Sequence, residues 1–461
     1  MATYDLVVIG SGPAGEKGAA QAAYLGKSVC VVDKGPAGGA WVNTGTIPSK
    51  TLRESALYLA GGRQRGLHGH FSTTTNIRDL MALERRLVTR WREKIEKSFR
   101  NHGIARMVGH ARFLDPHRLD VDGVVIEAKA FLVSTGSRPR TLPGIEPDGQ
   151  LIHDSDTILH LPAIPQTMVV LGGGVIGCEY ASIFQALGVQ VTLLNSRDRL
   201  LGFLEPAVSD RLESILCAGG MVIRHDTRFS GVQRSPAGIT VTTDDGTLVP
   251  ADLCFSALGR VPNSSGLGLD LAGVEVDEGG NIPVDEFMRT SQAHIYAAGD
   301  VVGFPSLGSV SMEQGRVATA HLCGDDRGPM ADLFPYGIFT IPEVSTVGLT
   351  CREAREQGFD PVVGRAGYHH SVRAAMLGDE NGEVRLVVDR ESHRLLGATL
   401  IGQQATELIH IAAMAITAEQ PVEHLIRFVF NLPSLSVLYK QAAYDALHAM
   451  RSGGAHNALV E

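Results

Sequence analysis

Apolar positions along the chain fall in short continuous runs that stop at glycine and alternate with stretches of small or amphipathic residues. In a first cycle Asp5-Leu6-Val7-Val8-Ile9 stops at Gly10, residues 16–26 are small and mixed, and Ser28-Val29-Cys30-Val31-Val32 ends at Asp33. A second cycle repeats this: Thr167-Met168-Val169-Val170-Leu171 stops at Gly172, residues 178–188 follow, and residues 189–194 end at Asn195. Runs this short, bounded by glycine, predict buried strands with a helix between them. Residues 79–103 have helical amphipathic spacing, and residues 100–140 read as short alternating strands. Residues 252–263 repeat the strand-then-glycine theme, and residues 294–303 close another strand at Gly299-Asp300. From about Phe334 the pattern changes to strands (residues 337–350, 382–389 and 394–402) and then helices (405–418 and 436–450), which predicts a separate α+β domain.

A length of 461 residues fits two to four domains, and 44% hydrophobic with 20% charged residues is the composition of a folded globular chain. The net charge of −9 gives no basic footprint, so neither nucleic acid nor an anionic membrane is an expected partner. No apolar run reaches membrane-spanning length, and residues 4–10 are too short for an export signal. The six cysteines, at 30, 178, 217, 254, 323 and 351, form no close pair. A cytoplasmic, reducing location is therefore expected. His369, His370 and His410 lack the spacing of a metal site, and none is expected.

The 53 glycines point to backbone approaching ligands. The two cycles carry Gly10-Ser11-Gly12-Pro13-Ala14-Gly15 and Gly172-Gly173-Gly174-Val175-Ile176-Gly177, each between strand and helix, and each first glycine precedes the strand end by 23 residues. Such a loop binds a dinucleotide: the first glycine turns, the second admits the pyrophosphate, and the third lets helix pack on strand. The helix N-terminus then holds the anion. Asp33 can accept from a ribose diol, so the first site suits FAD. At the second site Asn195 replaces the acid, with Arg197 and Arg199 following, so a 2′-phosphate meets no repulsion. NADP is permitted there, and NAD remains open.

The ordered motifs GSGPAG, GGAWVNTGTIPSK at residues 38–50, STGSRP, the second glycine loop, LGRVPN, AAGD and FTIPE resemble, over essentially the whole chain, the flavoprotein disulfide reductase family. That resemblance implies an α/β architecture with two Rossmann-like dinucleotide-binding domains and an α+β dimerisation domain. Residues 1–145 and 272–333 would bind FAD, 146–271 would bind NAD(P), and 334–461 would form a homodimer. It implies cofactor contacts from Gly10, Gly12, Ala14, Gly15, Asp33, Lys34, Gly39, Thr46, Thr135, Gly136, Gly259, Arg260, Gly299 and Asp300, the last on the ribityl chain. On the nicotinamide side it implies Gly172, Gly174, Val175, Ile176, Gly177, Asn195 and Arg197. Lys50 would point at flavin N5 and Glu179 would pair with it, making these two the catalytic residues.

The departures from the family pattern carry as much information. Its redox disulfide positions are Trp41 and Thr46 here, and the C-terminal acid–base pair is replaced by Leu432 and Val437. Disulfide exchange needs a thiolate and a proton donor. Within the family, xGTIPSK, LLNSRDRLL and VIRH are similar to the soluble pyridine nucleotide transhydrogenases, which commonly keep a cysteine at Trp41 and a glutamate at Val437. The expected activity is therefore FAD-dependent hydride transfer between NADPH and NAD⁺ by a ping-pong route. One alternative is a diaphorase reducing a quinone on the flavin face lined by Trp41, Thr46, Leu432 and Val437. Another is a non-catalytic, redox-sensing flavin-binding subunit.

Overall fold

The computed structural model describes residues 2–64, 77–236, 238–325 and 328–451. Both glycine cycles form the same unit. Strand Ala2–Ile9, helix Pro13–Tyr24 and strand Val29–Asp33 make the first, and Thr167–Leu171, Val175–Ala186 and Gln190–Leu194 make the second. Each pair of strands is parallel, and in each the first strand lies centrally, with Val124–Val133 on the far side of Ala2–Ile9 and Leu253–Ser256 on the far side of Thr167–Leu171. The register aligns the strand ends. Ile9 lies opposite Val32 and Val133, and Leu171 opposite Leu194 and Ser256, so the glycine loops leave the carboxyl edges of their sheets. This is the edge at which α/β sheets bind ligands.

The amphipathic pattern at residues 79–103 is helix Ile77–Asn101, which buries Leu80, Met81, Val88, Ile95 and Phe99. Gly103, at φ +67, ends it, and the Ile104 N–H turns back to the Phe99 carbonyl at 2.9 Å. Helix Thr46–Gln64 and the antiparallel strands Phe229–Ser235, Gly238–Thr243 and Leu248–Ala251 lie outside the periodic segments of the sequence. The strand Phe229–Ser235 faces solvent along most of its length, which is why it carries no apolar alternation. The chain crosses between the two units on an antiparallel pair, Ser137–Pro139 against Arg260–Pro262.

The last segment forms an antiparallel sheet ordered Tyr336–Ile338, Val344–Gly348, Leu395–Ile401, Glu383–Asp389, Pro361–Gly367. Helix Val437–Arg451 packs so closely on its edge that a Cβ at Gly364 would overlap the Ala442 carbonyl oxygen. The sequence pattern runs a strand through FTIPE, but the chain leaves the sheet after Ile338 and re-enters at Val344. Phe339 to Glu343 instead turn toward the helices carrying Lys50 and Glu179. No helix among the described residues is long and apolar enough to cross a membrane.

Candidate functional site

The two glycine loops obey one steric rule. Gly10 and Gly172 sit at φ +103 and +108, and a Cβ on either would press on a neighbouring backbone carbonyl, Ser134 or Ala257. At Gly15 and Gly177 a Cβ would overlap the carbonyl oxygen of Gly10 and Gly172 respectively. The middle glycines differ in kind. At Gly12 and Gly174 an added Cβ meets nothing within 4 Å, so the space before each helix N-terminus is open. Outer glycines bring helix onto strand, and middle glycines leave room for an anion on the bare N–H groups.

Around the first loop the structure gathers the other expected contacts. A Cβ on Gly39 would come within 2.7 Å of Gly12 Cα, and one on Gly299 within 3.4 Å of Ala14 Cβ. Thr135 donates its hydroxyl to the Asn263 carbonyl at 2.8 Å, and Gly136 accepts from the Asn263 N–H at 2.9 Å. The Gly259 carbonyl accepts from the Arg140 N–H at 2.9 Å. The Asp33 carboxylate accepts from the Ser11 hydroxyl, from the Ser11 N–H at 2.7 Å and from the Gly35 N–H at 3.1 Å. Lys34, next to it, is exposed. Asp300 accepts from the Ser137 hydroxyl at 2.6 Å, and that hydroxyl accepts from Arg260 Nε at 2.7 Å. Asp300 and Arg260, widely separated in sequence, thus meet through Ser137. These residues fit FAD: an open cradle over a helix N-terminus, a strand-end carboxylate, and a second acid, Asp300, next to the Gly299 that approaches Ala14.

At the second strand end the side chains divide unexpectedly. Asn195 is buried, and its Nδ2 lies 3.0 Å from the Arg197 carbonyl, 2.9 Å from the Arg199 carbonyl and 3.2 Å from His225 Nδ1. Its amide nitrogen shapes the turn, while its Oδ1 lies beside the glycine loop, 2.8 Å from where a Cβ on Gly173 would stand. Arg199 pairs with Asp210 at 2.8 Å, whereas Ser196, Arg197 and Asp198 are exposed. Of the residues expected there, Arg197 is the cation presented to solvent.

Lys50 and Glu179 come together across the units, Nζ to Oε2 at 2.6 Å, with Glu179 almost wholly buried. Val175 and Ile176, in the same helix, lead from the glycine loop toward Glu179. The other oxygen of Glu179 accepts the Phe339 N–H at 2.8 Å, and Lys50 Nζ stands 4.9 Å above the Phe339 ring. Arg53, one turn beyond Lys50, completes the clamp and was not singled out by the motifs. It is buried, donates to the Thr340 carbonyl at 3.1 Å and pairs with Glu343 at 3.0 Å. FTIPE is therefore the brace that fixes the ion pair. Tyr336, partly buried, has its phenol pushed up by burial and then by the charges of Glu179 and Asp300. Burial also raises the Asp156 carboxyl, against the lowering pull of Arg260.

Trp41 packs edge-on to Trp91, ring centroids 5.5 Å apart, within the apolar cluster of the first unit, and Thr46 starts the helix that carries Lys50. Leu432 is 82% exposed, and Val437 opens the last helix. Leu435 and Leu438, close to them in sequence, pack in the apolar cluster of the last segment, a different cluster from that of Trp41.

The model described as pyridine nucleotide-disulphide oxidoreductase matches residues 4–321, and the dimerisation domain of that name matches 334–443. The chain belongs to this family. Its relatives include a protein named soluble pyridine nucleotide transhydrogenase from Mycobacterium bovis (strain BCG / Pasteur 1173P2), 40% identical over 98% of this chain and 99% of the relative. A protein of the same name from Yersinia pestis (strain Pestoides F) is 36% identical over 97% of this chain and 98% of its own. Among solved structures, LpdA from Mycobacterium tuberculosis superposes with TM-score 0.89 at 30% identity, covering 96% of this chain and 99% of that one. The HOCl-induced flavoprotein disulfide reductase RclA from Escherichia coli gives 0.87 at 28%, covering 95% and 99%. This pyridine nucleotide-disulphide oxidoreductase thus shares its full-length architecture with both.

Proposed function

We propose that the chain is a soluble, Si-specific NAD(P)⁺ transhydrogenase that moves hydride between NADPH and NAD⁺ with bound FAD. The observation that carries this reading is the Lys50–Glu179 pair, 2.6 Å apart between two open nucleotide loops, in a chain with Trp41 and Thr46 in the family's redox thiol positions. Relatives matched over nearly their whole length bear the transhydrogenase name, two of them being those from Mycobacterium bovis and Yersinia pestis. We assign residues 1–145 and 272–333 to FAD, 146–271 to the nicotinamide nucleotide and 334–461 to a homodimer contact, in a cytoplasmic protein.

FAD, held by Gly10, Gly12, Gly15, Asp33 and Asp300, supplies two-electron chemistry that can take and return a hydride. The residues of the chain position and polarise. Glu179 fixes the Lys50 ammonium, which faces negative charge developing at the reacting centre. The Phe339 N–H holds the other Glu179 oxygen, and Arg53 braces that turn through Thr340 and Glu343. NADPH and NAD⁺ use one pocket in turn, so the kinetics are ping-pong. Hydride exchange between two nicotinamides moves no net proton, so Leu432 and Val437 need supply no acid or base.

The test is anaerobic titration of the yellow holoenzyme with NADPH until its colour is bleached, followed by NAD⁺ in one arm and a quinone in another. Return of colour with NAD⁺, matched by NADH formed, supports transhydrogenation. Return with quinone alone defeats it and favours the diaphorase reading.

A further inference from the structure

At the second strand end a hydrogen-bonded relay reaches the nucleotide loop from outside it. Glu213, on helix Pro206–Ala218, lies 2.8 Å from His225 Nε2. His225 Nδ1 lies 3.2 Å from Asn195 Nδ2, which in turn reaches the Arg197 and Arg199 carbonyls at 3.0 and 2.9 Å. Asn195 Nδ2 carries two hydrogens for these three acceptors, so one N–H is shared between His225 Nδ1 and a backbone carbonyl. An amide nitrogen only donates, so His225 Nδ1 is the bare, accepting nitrogen and its proton sits on Nε2, donated to Glu213. The Asn195 amide cannot reverse, because its oxygen would then face two carbonyl oxygens.

Backbone bonds make the two segments one body. The Thr227 N–H donates to the Asn195 carbonyl at 3.0 Å, the Asp226 N–H to the Arg197 carbonyl at 3.1 Å, and the Thr227 hydroxyl to the His225 carbonyl at 2.7 Å. The body also underlies the glycine loop: a Cβ on Gly173 would come within 2.8 Å of Asn195 Oδ1, and the Leu201 N–H donates to the Gly173 carbonyl at 3.0 Å. The outward product of this scaffold is exposed Arg197, while Arg199 is held by Asp210.

We propose that His225 is a positioning residue for nucleotide specificity. Anchored on Glu213 and accepting from Asn195, it holds the turn that presents Arg197 to an adenosine 2′-phosphate. This rests on the reading that the second loop takes NADP(H) as well as NAD(H).

The test is calorimetric titration of the flavin-loaded protein with adenosine 2′,5′-bisphosphate and with 5′-AMP, neither of which carries a nicotinamide. His225→Gln keeps an amide N–H for Glu213 but offers no acceptor at the Nδ1 place, and His225→Asn does the reverse. The expected result is that H225Q lowers the preference for the bisphosphate about tenfold with 5′-AMP affinity held within about twofold, while H225N keeps most of it. Arg197→Met abolishes the preference, and H225Q added to it changes nothing further. An intact preference in H225Q, or a loss in H225Q that is undiminished in the R197M background, overturns the relay alone. A wild-type protein that binds both ligands equally, or a full preference in R197M, overturns the 2′-phosphate reading and the relay with it.

Discussion

The two nucleotide units share glycine geometry and strand order, yet their strand ends have opposite hydrogen-bond polarity. Asp33 accepts: the Ser11 N–H, the Ser11 hydroxyl and the Gly35 N–H all point at its carboxylate. Asn195 donates: its amide nitrogen faces the Arg197 and Arg199 carbonyls. Gathering N–H groups around the carboxylate suits an acceptor side chain at the first strand end. Turning carbonyls toward an amide places a neutral donor side chain at the second and leaves the Arg197 guanidinium exposed. On the function proposed above, one side chain at each strand end would set the same fold for two different adenosine environments.

The strongest way to break this comparison is through the glycines. At Gly12 and Gly174 an added Cβ meets no protein atom, so alanine there should leave the fold intact and occupy only the place of the ligand. Gly12→Ala is expected to purify folded but colourless. Gly174→Ala is expected to purify yellow, with bleaching by NADPH slowed by about a hundredfold or more. Absorbance and circular dichroism check both. A yellow G12A protein, or a G174A protein that is reduced normally, would show that the open spaces are not the pyrophosphate sites.

Next in size is the ion pair where the units meet. Glu179→Ala frees Lys50 and leaves the Phe339 N–H without its acceptor. Stopped-flow bleaching by NADPH should slow about ten- to a hundredfold, equivalent to about 1–3 kcal/mol of transition-state stabilisation. Arg53→Met should move the same rate in the same direction by a smaller factor, because Arg53 acts on the ion pair indirectly, through Thr340 and Glu343. Unchanged rates in both variants would leave the pair a structural tie between units.

Reversing the polarity of the second strand end gives a smaller, selective effect. Asn195→Asp places a carboxylate against two carbonyl oxygens and near a 2′-phosphate, both unfavourable. The kcat/KM ratio for NADPH over NADH should fall about tenfold or more, accompanied by a lower Tm because the residue is buried. Equal losses for both nucleotides would mean that the turn supports binding in general and does not discriminate.

The glycine loops were legible in the sequence because steric exclusion leaves a local mark. Gly10, Gly15, Gly172 and Gly177 are required by backbone close to them in the fold, and their spacing records it. Lys50 and Glu179 were legible through motifs, although their meeting spans 129 residues. What stayed hidden depends on long-range partners. Asn195 could be named, but not that its amide is committed to carbonyls and to His225, which lies 30 residues on. Arg53 has its carbonyl partner 287 residues away, and Ser137 joins Asp300 to Arg260 without any local periodicity. The strand Phe229–Ser235 was hidden for a different reason, since a mostly exposed strand has no need of apolar alternation.

The smallest expected effect is a null one, and it bears on whether either unit uses thiol chemistry. All six cysteines are free. Burial pushes the thiols of Cys30 and Cys351 up to about 11 and that of Cys254 to about 12, and raises Cys178, Cys217 and Cys323 as well. Raised values keep these groups protonated at working pH, so at pH 8.5 the Cys30, Cys254 and Cys351 thiols are less than about 1% ionised. Iodoacetamide should leave NADPH-to-NAD⁺ transfer nearly unchanged, and lipoamide or glutathione disulfide should not be turned over. Cys217 is the exposed thiol and takes the label first, on the helix that also carries Glu213. Cys217→Ser therefore separates a steric effect on that helix from a redox role. Should alkylation stop hydride transfer in C217S as well, one of the other five thiols would have to be taking part, and the comparison of the two strand ends would no longer account for the reaction.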